Sequence, residues 1–249
     1  MRVATTLRLT LAAFALSAWA GTAAAQVVAE PLGGFAGYTV HDHLTQTTHL
    51  QPNAPAALPV VVYDNTASAP NFGISSTDLT AIWGDQLATT GTGTLSEMMF
   101  TFYNSSSSAG PVLTANLGLE FYDGNTFAFI GGFNANFNFG GGLNPGFFTL
   151  ASVTSLEPLA IDLLTTDVIV LQTVLGQTGS ATRLGIASLN PPTVGSSGPD
   201  MYIDALTVGA AGWYTVGTTP ANPGYRVSVV TAPVPTEKSS WGRVKSLYR

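Results

Sequence analysis

The clearest pattern along the chain is the alternation of apolar with polar or small residues over residues 112–122. The apolar positions are Leu113, Ala115, Leu117, Leu119 and Phe121. Successive side chains of a β-strand point to opposite faces, so this period of two predicts a strand with one buried face. Asp123-Gly124 follows directly, and this pair favours the tight turn of a β-hairpin.

The next run, residues 126–139, repeats the pattern with aromatic side chains. Its phenylalanines at alternate positions are Phe127, Phe129, Phe133, Phe137 and Phe139. A helix would scatter these rings around its axis, whereas a strand places them on one face. We therefore predict a strand whose phenylalanines all lie in the core.

Nine further runs predict short strands, because they are apolar or alternating and are separated by clusters of Gly, Pro, Asn and Ser. They span residues 58–63, 94–103, 147–153, 157–163, 167–175, 182–188, 201–208, 212–216 and 225–231. With the two central runs this makes about eleven strands. Such a series predicts an all-β, jelly-roll-like antiparallel β-sandwich. Residues 76–87 are ambiguous, because Ser76 would also cap one or two helical turns.

The ends of the chain differ from this pattern. Residues 1–25 predict a secretory signal peptide, with Arg2 and Arg8 before a short apolar core and Ala23-Ala24-Ala25 before the cleavage site. We divide the remainder into a polar N-terminal segment (26–57), the β-sandwich (58–232), and a Pro-containing linker with a basic tail (233–249). The mature chain is expected to have no transmembrane segment, since none of its apolar runs reaches the roughly 20 residues that a spanning helix needs.

Composition excludes several classes of protein. The chain is 45% hydrophobic and only 9% charged, the reverse of a disordered chain, and it has no cysteine for disulfides or thiolate metal sites. The formal net charge of −6 argues against nucleic acid as a partner. This charge is unevenly distributed: residues 26–236 hold 13 acidic residues against Arg183 and Arg226, a net charge of −11, whereas residues 237–249 carry +3.

The basic tail predicts a short amphipathic helix capped by Ser239 or Ser240. Its apolar face would consist of Trp241, Val244, Leu247 and Tyr248. So short a helix is marginal on its own in water, so this face favours a partner. Two interpretations stay open. The tail is a sorting or docking tag for a cell-surface or matrix partner, or it is a frayed end or one that docks on its own acidic body.

Two stretches carry a family resemblance. The ending SSWGRVKSLYR resembles a Trp-Gly-x-x-Lys-x-x-Tyr-Arg terminus found on otherwise unrelated exported proteins of some environmental bacteria. Residues 62–73 and 104–124 resemble bacterial exported β-sandwich proteins of the choice-of-anchor or PEP-CTERM kind, over roughly residues 58–232. The resemblance implies a secreted or cell-surface protein of a group whose functions are mostly unassigned. The chain does not show a terminal Pro-Glu-Pro motif, a transmembrane helix and a basic end in that order, as the PEP-CTERM pattern does, so membrane anchoring by that route is not implied.

Histidine offers one candidate metal site. His41, His43 and His49 lie within nine residues, beside Asp42. His41 and His43 would share one face of a strand, an i, i+2 geometry that some metal sites use. The sequence provides no distant His or Cys to complete a coordination shell, so a solvated segment is the alternative.

Acidic residues offer two further kinds of site. The candidates for paired catalytic carboxyls, which glycoside hydrolysis needs on facing sides of a cleft, are Asp162 with Asp167 and Asp200 with Asp204. The candidates for calcium ligands are Asp64-Asn65 and Asp123-Gly124-Asn125. The alternative for all of them is ordinary turn chemistry. Motifs for nucleophilic catalysis or phosphate binding are absent, so we predict a non-enzymatic protein without catalytic, cofactor-binding or metal-ligating residues.

Aromatic residues are the remaining lead. Sandwich-type carbohydrate-binding modules stack sugar rings on exposed Trp and Tyr, and the candidate platform residues here are Trp83, Tyr122, Tyr202, Trp213 and Tyr214. Core packing is the alternative for each. The leading hypothesis is therefore a non-enzymatic, secreted or cell-surface structural or interaction protein. A polysaccharide-binding module is the second hypothesis, and a hydrolase that uses Asp and Glu is the third.

Overall fold

The computed structural model describes residues 27–51, 59–205, 211–216 and 222–231. These ranges form 17 strands in two sheets and one 3₁₀ turn, Glu157–Leu159, which confirms the predicted all-β sandwich. The signal peptide, the linker and the helical tail predicted from the sequence lie outside the described residues.

The first sheet has ten strands. Its main path runs β1 (Val28–Glu30), β5 (Pro70–Ser76), β13 (Leu184–Leu189), β7 (Gly93–Asn104), β10 (Phe147–Thr154), β2 (Gly34–Asp42) and β3 (Thr47–Gln51). Off this path, β17 (Tyr225–Val230) pairs with both β7 and β4 (Val60–Asp64), and β11 (Asp162–Leu163) pairs with β7. The pairing of β10 with β2 is parallel, and the other pairings in this sheet are antiparallel.

The second sheet has seven strands and is antiparallel throughout. Its path runs β16 (Gly212–Thr215), β15 (Asp200–Asp204), β6 (Ile82–Ala88), β12 (Asp167–Gly179), β8 (Val112–Asp123) and β9 (Phe129–Leu143), and β14 (Ser196–Ser197) pairs with β6.

The core lies between the two sheets. Phe100 on β7 packs edge-to-face on Phe137 of β9, with ring centroids 5.8 Å apart, and Phe102 stacks on Phe139 at 5.5 Å. A second cluster between the sheets surrounds the buried Trp83 of β6. The predicted burial of Phe133, Phe137 and Phe139 is therefore confirmed.

The described part of the sandwich begins earlier than residue 58. Strands β1, β2 and β3 come from the segment predicted to precede the sandwich, and they complete both ends of the first sheet. On β2 the polar Thr39 faces the interior, where its Oγ1 lies 3.2 Å from Thr149 Oγ1. Because inward positions hold polar residues with hydrogen-bond partners on neighbouring strands, residues 34–42 show no clear apolar period in the sequence.

The predicted alternation fails where the strand register shifts. Phe127, expected in the core, is 62% exposed in the β8–β9 turn with φ 61°. A shift beside Phe121 pairs Tyr122 with Phe129, which turns Phe129 to the outer face at 60% exposure. A second shift, next to Val112, leaves Leu113 44% exposed instead of buried.

Two segments form short turns, one for which the sequence prediction was ambiguous and one for which it was wrong. Residues 77–81 form a turn before β6. Ser76 Oγ accepts a hydrogen bond from the Asp78 amide at 3.0 Å, so the Ser76 side chain caps this turn. The chain then continues as a strand. Residues 157–163, predicted as one strand, are the 3₁₀ turn followed by the two-residue β11, because Pro158 has no amide hydrogen to donate to a ladder.

Candidate binding face

The outer face of the second sheet carries two pairs of aromatic side chains, and we call it the aromatic face. Tyr202 on β15 is in register with Trp213 on β16, with ring centroids 5.8 Å apart at 72°. Tyr122 on β8 is in register with Phe129 on β9, at 5.4 Å and 68°. Phe129 is exposed and the other three are partly exposed. Exposed, edge-to-face aromatic pairs form rigid apolar surfaces that other rings can contact.

Alternation along each strand brings these rings to the surface. On β15 the side chains of Met201 and Ile203 are buried between the sheets, which leaves Asp200, Tyr202 and Asp204 on the outer face. Strand β8 follows the same rule, since its buried Leu119 and Phe121 alternate with Glu120 and Tyr122. The aromatic residues are therefore on the outer face for the same reason that their neighbours are in the core.

The floor between the two aromatic pairs is formed by β6 and β12. In register, Tyr202 lies opposite Gly84, Gly84 opposite Leu171, and Leu171 opposite Glu120. A Cβ atom at Gly84 would lie 2.4 Å from Leu171 Cδ2 and 2.7 Å from a backbone oxygen, so this position requires glycine. Because β15 and β8 are three strand spacings apart, the two pairs are separated by about 14 Å across the strands, and Tyr122 lies two residues further along β8 than the row of Tyr202.

Hydrogen bonds hold the polar side chains of this face in place. Tyr122 Oη donates to Glu120 Oε2 at 2.6 Å, and this bond, together with partial burial and the nearby charges of Glu120 and Tyr202, raises the pKa of Tyr122 to about 12. Gln86 Nε2 donates to Asp167 Oδ1 at 2.7 Å. The carboxylates and amides therefore present oriented acceptors beside the aromatic rings.

The charge of the aromatic face is negative. Its carboxylates are Glu120, Asp167, Asp200 and Asp204. The two basic side chains in the described ranges belong to the first sheet: Arg226 is ion-paired with Glu97 at 3.1 Å, and Arg183 directly precedes β13. Neither of them neutralises the aromatic face.

The structure separates the predicted platform residues into two groups. Tyr122, Tyr202 and Trp213 lie on the aromatic face, as a platform requires. Trp83 is 2% exposed and Tyr214 is also buried between the sheets, so their assignment to the platform is wrong. Phe129 was not predicted to lie on this face, because the register shift beside Ile130-Gly131-Gly132 turns its side chain from the core to the outer face. The adjacent glycines are the only signal of such a bulge in the sequence.

The three histidines do not converge on one point. His41 is buried on β2, its Nδ1 is 2.9 Å from Thr48 Oγ1, and its ring packs 5.9 Å from Phe137. Burial, followed by the charge of the nearby His43, lowers the pKa of His41. His49 pairs with Val40 and therefore points to the opposite face of the β2–β3 hairpin. A solvated segment was the alternative to a metal site, and the buried His41 contradicts that alternative.

The paired-carboxyl candidates are not brought together. Asp162 belongs to the first sheet, where its Oδ1 accepts from Thr94 Oγ1 at 2.6 Å, whereas Asp167 belongs to the second. Asp200 and Asp204 lie four residues apart on one extended strand, a Cα separation of about 13 Å. A glycosidase needs its two carboxyls on facing sides of a cleft, whereas Asp200 and Asp204 lie on the same face of one strand.

The calcium candidates are engaged in turns. Asp64 Oδ1 accepts from the Thr66 amide at 2.7 Å, and Asp123 Oδ1 accepts from the Thr126 amide at 2.7 Å, both typical of Asx turns. Asn65 is buried and donates to the carbonyls of Leu189 and Pro223, which ties three loops together. In the ranges that the structure describes, no group of three His, Cys, Asp or Glu side chains could hold a metal ion.

Two perturbed carboxyls lie away from the aromatic face. Asp85 on β6 is fully buried between the sheets, and this burial raises its pKa well above the usual value of 3.8. Its Oδ1 accepts from the Gln86 amide at 2.8 Å, and its Oδ2 has no hydrogen-bond partner among the described residues. Glu30 on β1 is the opposite case. Partial burial acts to raise its pKa, but hydrogen bonds from Ser105, Ser106 and Tyr103 together lower it.

Comparison with known proteins yields no family model, no curated protein and no solved structure that matches this chain. Among the described residues, no helix is both long and apolar enough to cross a membrane.

Proposed function

We propose that the protein is an exported, non-enzymatic β-sandwich that binds polysaccharide on its aromatic face. The observation that carries the proposal is the exposure of two rigid aromatic pairs on one sheet face, separated by a floor that has no side chain at Gly84. Exposed apolar clusters on a protein surface typically mark interaction sites. Because a sugar ring has an apolar C–H face and a hydroxyl rim, it matches aromatic rings bordered by oriented acceptors.

The dimensions of the face favour a chain of sugars over a single one. The aromatic pairs are about 14 Å apart across β6 and β12, so one sugar ring cannot contact both pairs at once. A polysaccharide lying across the strands would stack on Tyr202 and Trp213 at one end and on Tyr122 and Phe129 at the other. Between these ends, its hydroxyl groups would meet Gln86 and the carboxylates.

Several features support a binding role in preference to a catalytic one. The carboxyls of Asp162 and Asp167 are on different sheets, and those of Asp200 and Asp204 are far apart on one strand. Tyr122 and Glu120 hydrogen-bond to each other. A flat array of ordered acceptors recognises a ligand without providing an acid and a base on opposite sides of a bond.

Export and the site of action are proposed from the sequence. The signal peptide of residues 1–25 and the resemblance to exported bacterial proteins support a secreted or cell-surface location. The contrast between the tail, with +3, and the acidic body supports a sorting or docking role for residues 237–249. In this proposal Trp241, Val244, Leu247 and Tyr248 bind a partner at the cell surface or in the matrix. Deletion of residues 237–249 is expected to abolish retention at the cell surface while glycan binding stays unchanged.

Substitution on the two outer faces tests the binding proposal. We expect Trp213→Ala and Tyr202→Ala each to weaken binding to immobilised polysaccharides by about tenfold or more, since removal of a stacking ring loses roughly 1–3 kcal/mol of contact. The matched control is Phe35→Ala, because Phe35 is 45% exposed and packs edge-to-face on Tyr38 at 5.2 Å on the first sheet. Equal losses from all three variants, or no binding to any glycan on a broad array, would contradict the proposal.

A further inference from the structure

We propose that the aromatic face selects polysaccharides that carry free amino groups. This inference rests on the proposed function and names the class of its ligand. It is carried by the arrangement of carboxylates around the stacking rings, together with the position of the basic side chains on the other sheet.

The carboxylates border both aromatic pairs. Asp200 and Asp204 lie two residues before and two residues after Tyr202 on β15, so one carboxyl flanks this ring on each side. Glu120 lies in the same register row as Tyr202, at the far side of the floor beside Tyr122. A sugar stacked on either pair would therefore have a carboxylate within reach of a substituent on its ring.

These carboxylates keep the capacity to bind an ammonium group. Tyr122 occupies one oxygen of Glu120, and Thr215 Oγ1 donates to one oxygen of Asp200. An ionised carboxylate has about four acceptor positions, so one hydrogen bond leaves room for an N–H donor. The existing bonds also fix the direction of the carboxylates, which lowers the entropy that is lost when a ligand binds.

The two arginines of the described ranges belong to the first sheet and lie away from the aromatic face. Arg226 lies on the opposite sheet and donates to Glu97 at 3.1 and 3.3 Å. The backbone of Arg183 is tied to Ser105 and Ser108 in the loop after β7. The negative potential of the aromatic face is therefore not neutralised from within these residues, and it complements a cationic ligand while repelling uronate or sulfate groups.

Charge complementarity therefore distinguishes three kinds of polysaccharide with similar rings. A neutral or N-acetylated chain gains only stacking and hydrogen bonds, an amine-bearing chain adds ion pairs, and an acidic chain meets repulsion. Exposed ion pairs contribute modestly each, so two or three of them predict a preference of about tenfold for the amine-bearing chain. Because exposed ion pairs are screened by salt, this preference should shrink at high ionic strength.

Calorimetric titration of the mature full chain with three probes tests this inference. The probes are a glucosamine hexamer, its fully N-acetylated counterpart and an oligogalacturonate, at pH 5.5 in low and in high salt. We expect the glucosamine hexamer to bind about tenfold more tightly than the N-acetylated hexamer in low salt, and the ratio to fall towards one in high salt.

Variants that remove one charge each test whether the preference for the glucosamine hexamer arises at the aromatic face. Glu120→Gln keeps an acceptor for Tyr122 Oη, and Asp204→Asn keeps the shape of the side chain. We expect each to reduce the preference for the glucosamine hexamer about threefold, because the glucosamine hexamer loses an ion pair whereas the N-acetylated hexamer loses at most a hydrogen bond. The matched control is Glu157→Gln, which removes the same charge from the exposed 3₁₀ turn outside the aromatic face.

The outcomes separate this inference from the proposed function. Equal affinity for the two hexamers, or tighter binding of the oligogalacturonate, would overturn the amine preference and leave polysaccharide binding in place. An equal effect of Glu157→Gln would also overturn it, because the preference would then follow net charge and not the aromatic face. Binding of none of the three probes, nor of any neutral glycan, would overturn both.

Discussion

The outer faces of the two sheets follow the same alternation but have opposite surroundings. At the centre of the first sheet, outward side chains are buried: Met99, Leu150 and Leu189 form one cluster, and Glu97 pairs with Arg226 beside it. On the second sheet, the outward Tyr122 and Tyr202 remain partly exposed, with carboxylates beside them. A period of two identifies the two faces of a strand, but it does not reveal which outer face is covered.

This difference predicts which substitutions should affect stability and which should affect ligand binding. Substitutions on the covered face of the first sheet should lower the free energy of unfolding and leave ligand binding unchanged. Substitutions on the aromatic face should weaken binding and leave stability almost unchanged.

Breaking the ion pair of the first sheet should have the largest effect on stability. Within the described residues, Arg226→Ala leaves the buried Glu97 with one hydrogen-bond donor, Ser152 Oγ at 2.9 Å. An uncompensated buried charge of this kind costs about 3–5 kcal/mol, so urea denaturation should show a loss of that size in the free energy of unfolding. The double variant Glu97→Leu/Arg226→Met should be close to the unsubstituted protein, because apolar residues of similar volume replace both charges. A loss below about 1 kcal/mol for Arg226→Ala would show that water reaches the charges on this face.

A matched pair of apolar truncations compares the two outer faces directly. Met99→Ala removes a fully buried side chain from the first sheet and should cost about 2–5 kcal/mol. Phe129→Ala removes a larger but exposed ring from the second sheet and should change the free energy of unfolding by roughly 0.5 kcal/mol or less. The same Phe129 variant is expected to weaken polysaccharide binding. Similar stability losses for the two variants would contradict the contrast between the faces.

The inner and outer carboxyls of the second sheet should respond differently to pH. Burial raises the folded pKa of Asp85 above its unfolded value, so the protonated folded form is favoured at low pH. The free energy of unfolding should therefore fall by about 1.4 kcal/mol per pH unit as the pH rises from 3.8 to the raised folded pKa. Thermal denaturation across this range checks the slope. Asp85→Asn should remove this dependence and Glu120→Gln should not; equal slopes in the Asp85 variant and the unsubstituted protein would contradict the assignment.

Sequence reasoning succeeded where apolar residues alternate without interruption. Strand β8, with its inward Leu119 and Phe121, and the inward Phe137 of β9 were predicted because burial of one face determines their pattern. It failed for β2, whose inward Thr39 and His41 form hydrogen bonds to side chains on the neighbouring strands that no apolar pattern reveals. Interior position therefore depends on tertiary hydrogen bonds as well as on hydrophobicity.

The candidate site was predicted only in part, for a similar reason. Tyr122, Tyr202 and Trp213 follow strand alternation, but residue type alone could not separate them from Trp83, which lies between the sheets. Phe129 depends on a one-residue register shift, which reverses the face of every residue beyond it. The contrast between a covered and an open outer face is a property of the assembled sheets and has no counterpart in any single strand.

We expect the smallest effect on stability from substitution of Glu30, which lies on β1 at the edge of the first sheet. Its carboxylate accepts hydrogen bonds from Tyr103 Oη at 3.0 Å and Ser106 Oγ at 2.6 Å, and from Ser105, which lowers its folded pKa below the usual 4.5. The lowered pKa contributes stability above about pH 4.5, and this contribution is lost as the pH falls through the folded value.

Thermal denaturation from pH 7 to pH 3 should therefore show that Glu30→Gln lowers the melting temperature at neutral pH and that the difference from the unsubstituted protein narrows in acid. This trend is opposite in sign to that of Asp85, whose stabilising proton is lost as the pH rises. A Glu30→Gln difference that stays constant over the whole range would mean that the carboxylate holds β1 by shape and not by charge. Packing would then hold β1 at the edge of the first sheet, just as Met99 and Leu150 pack together on its covered outer face.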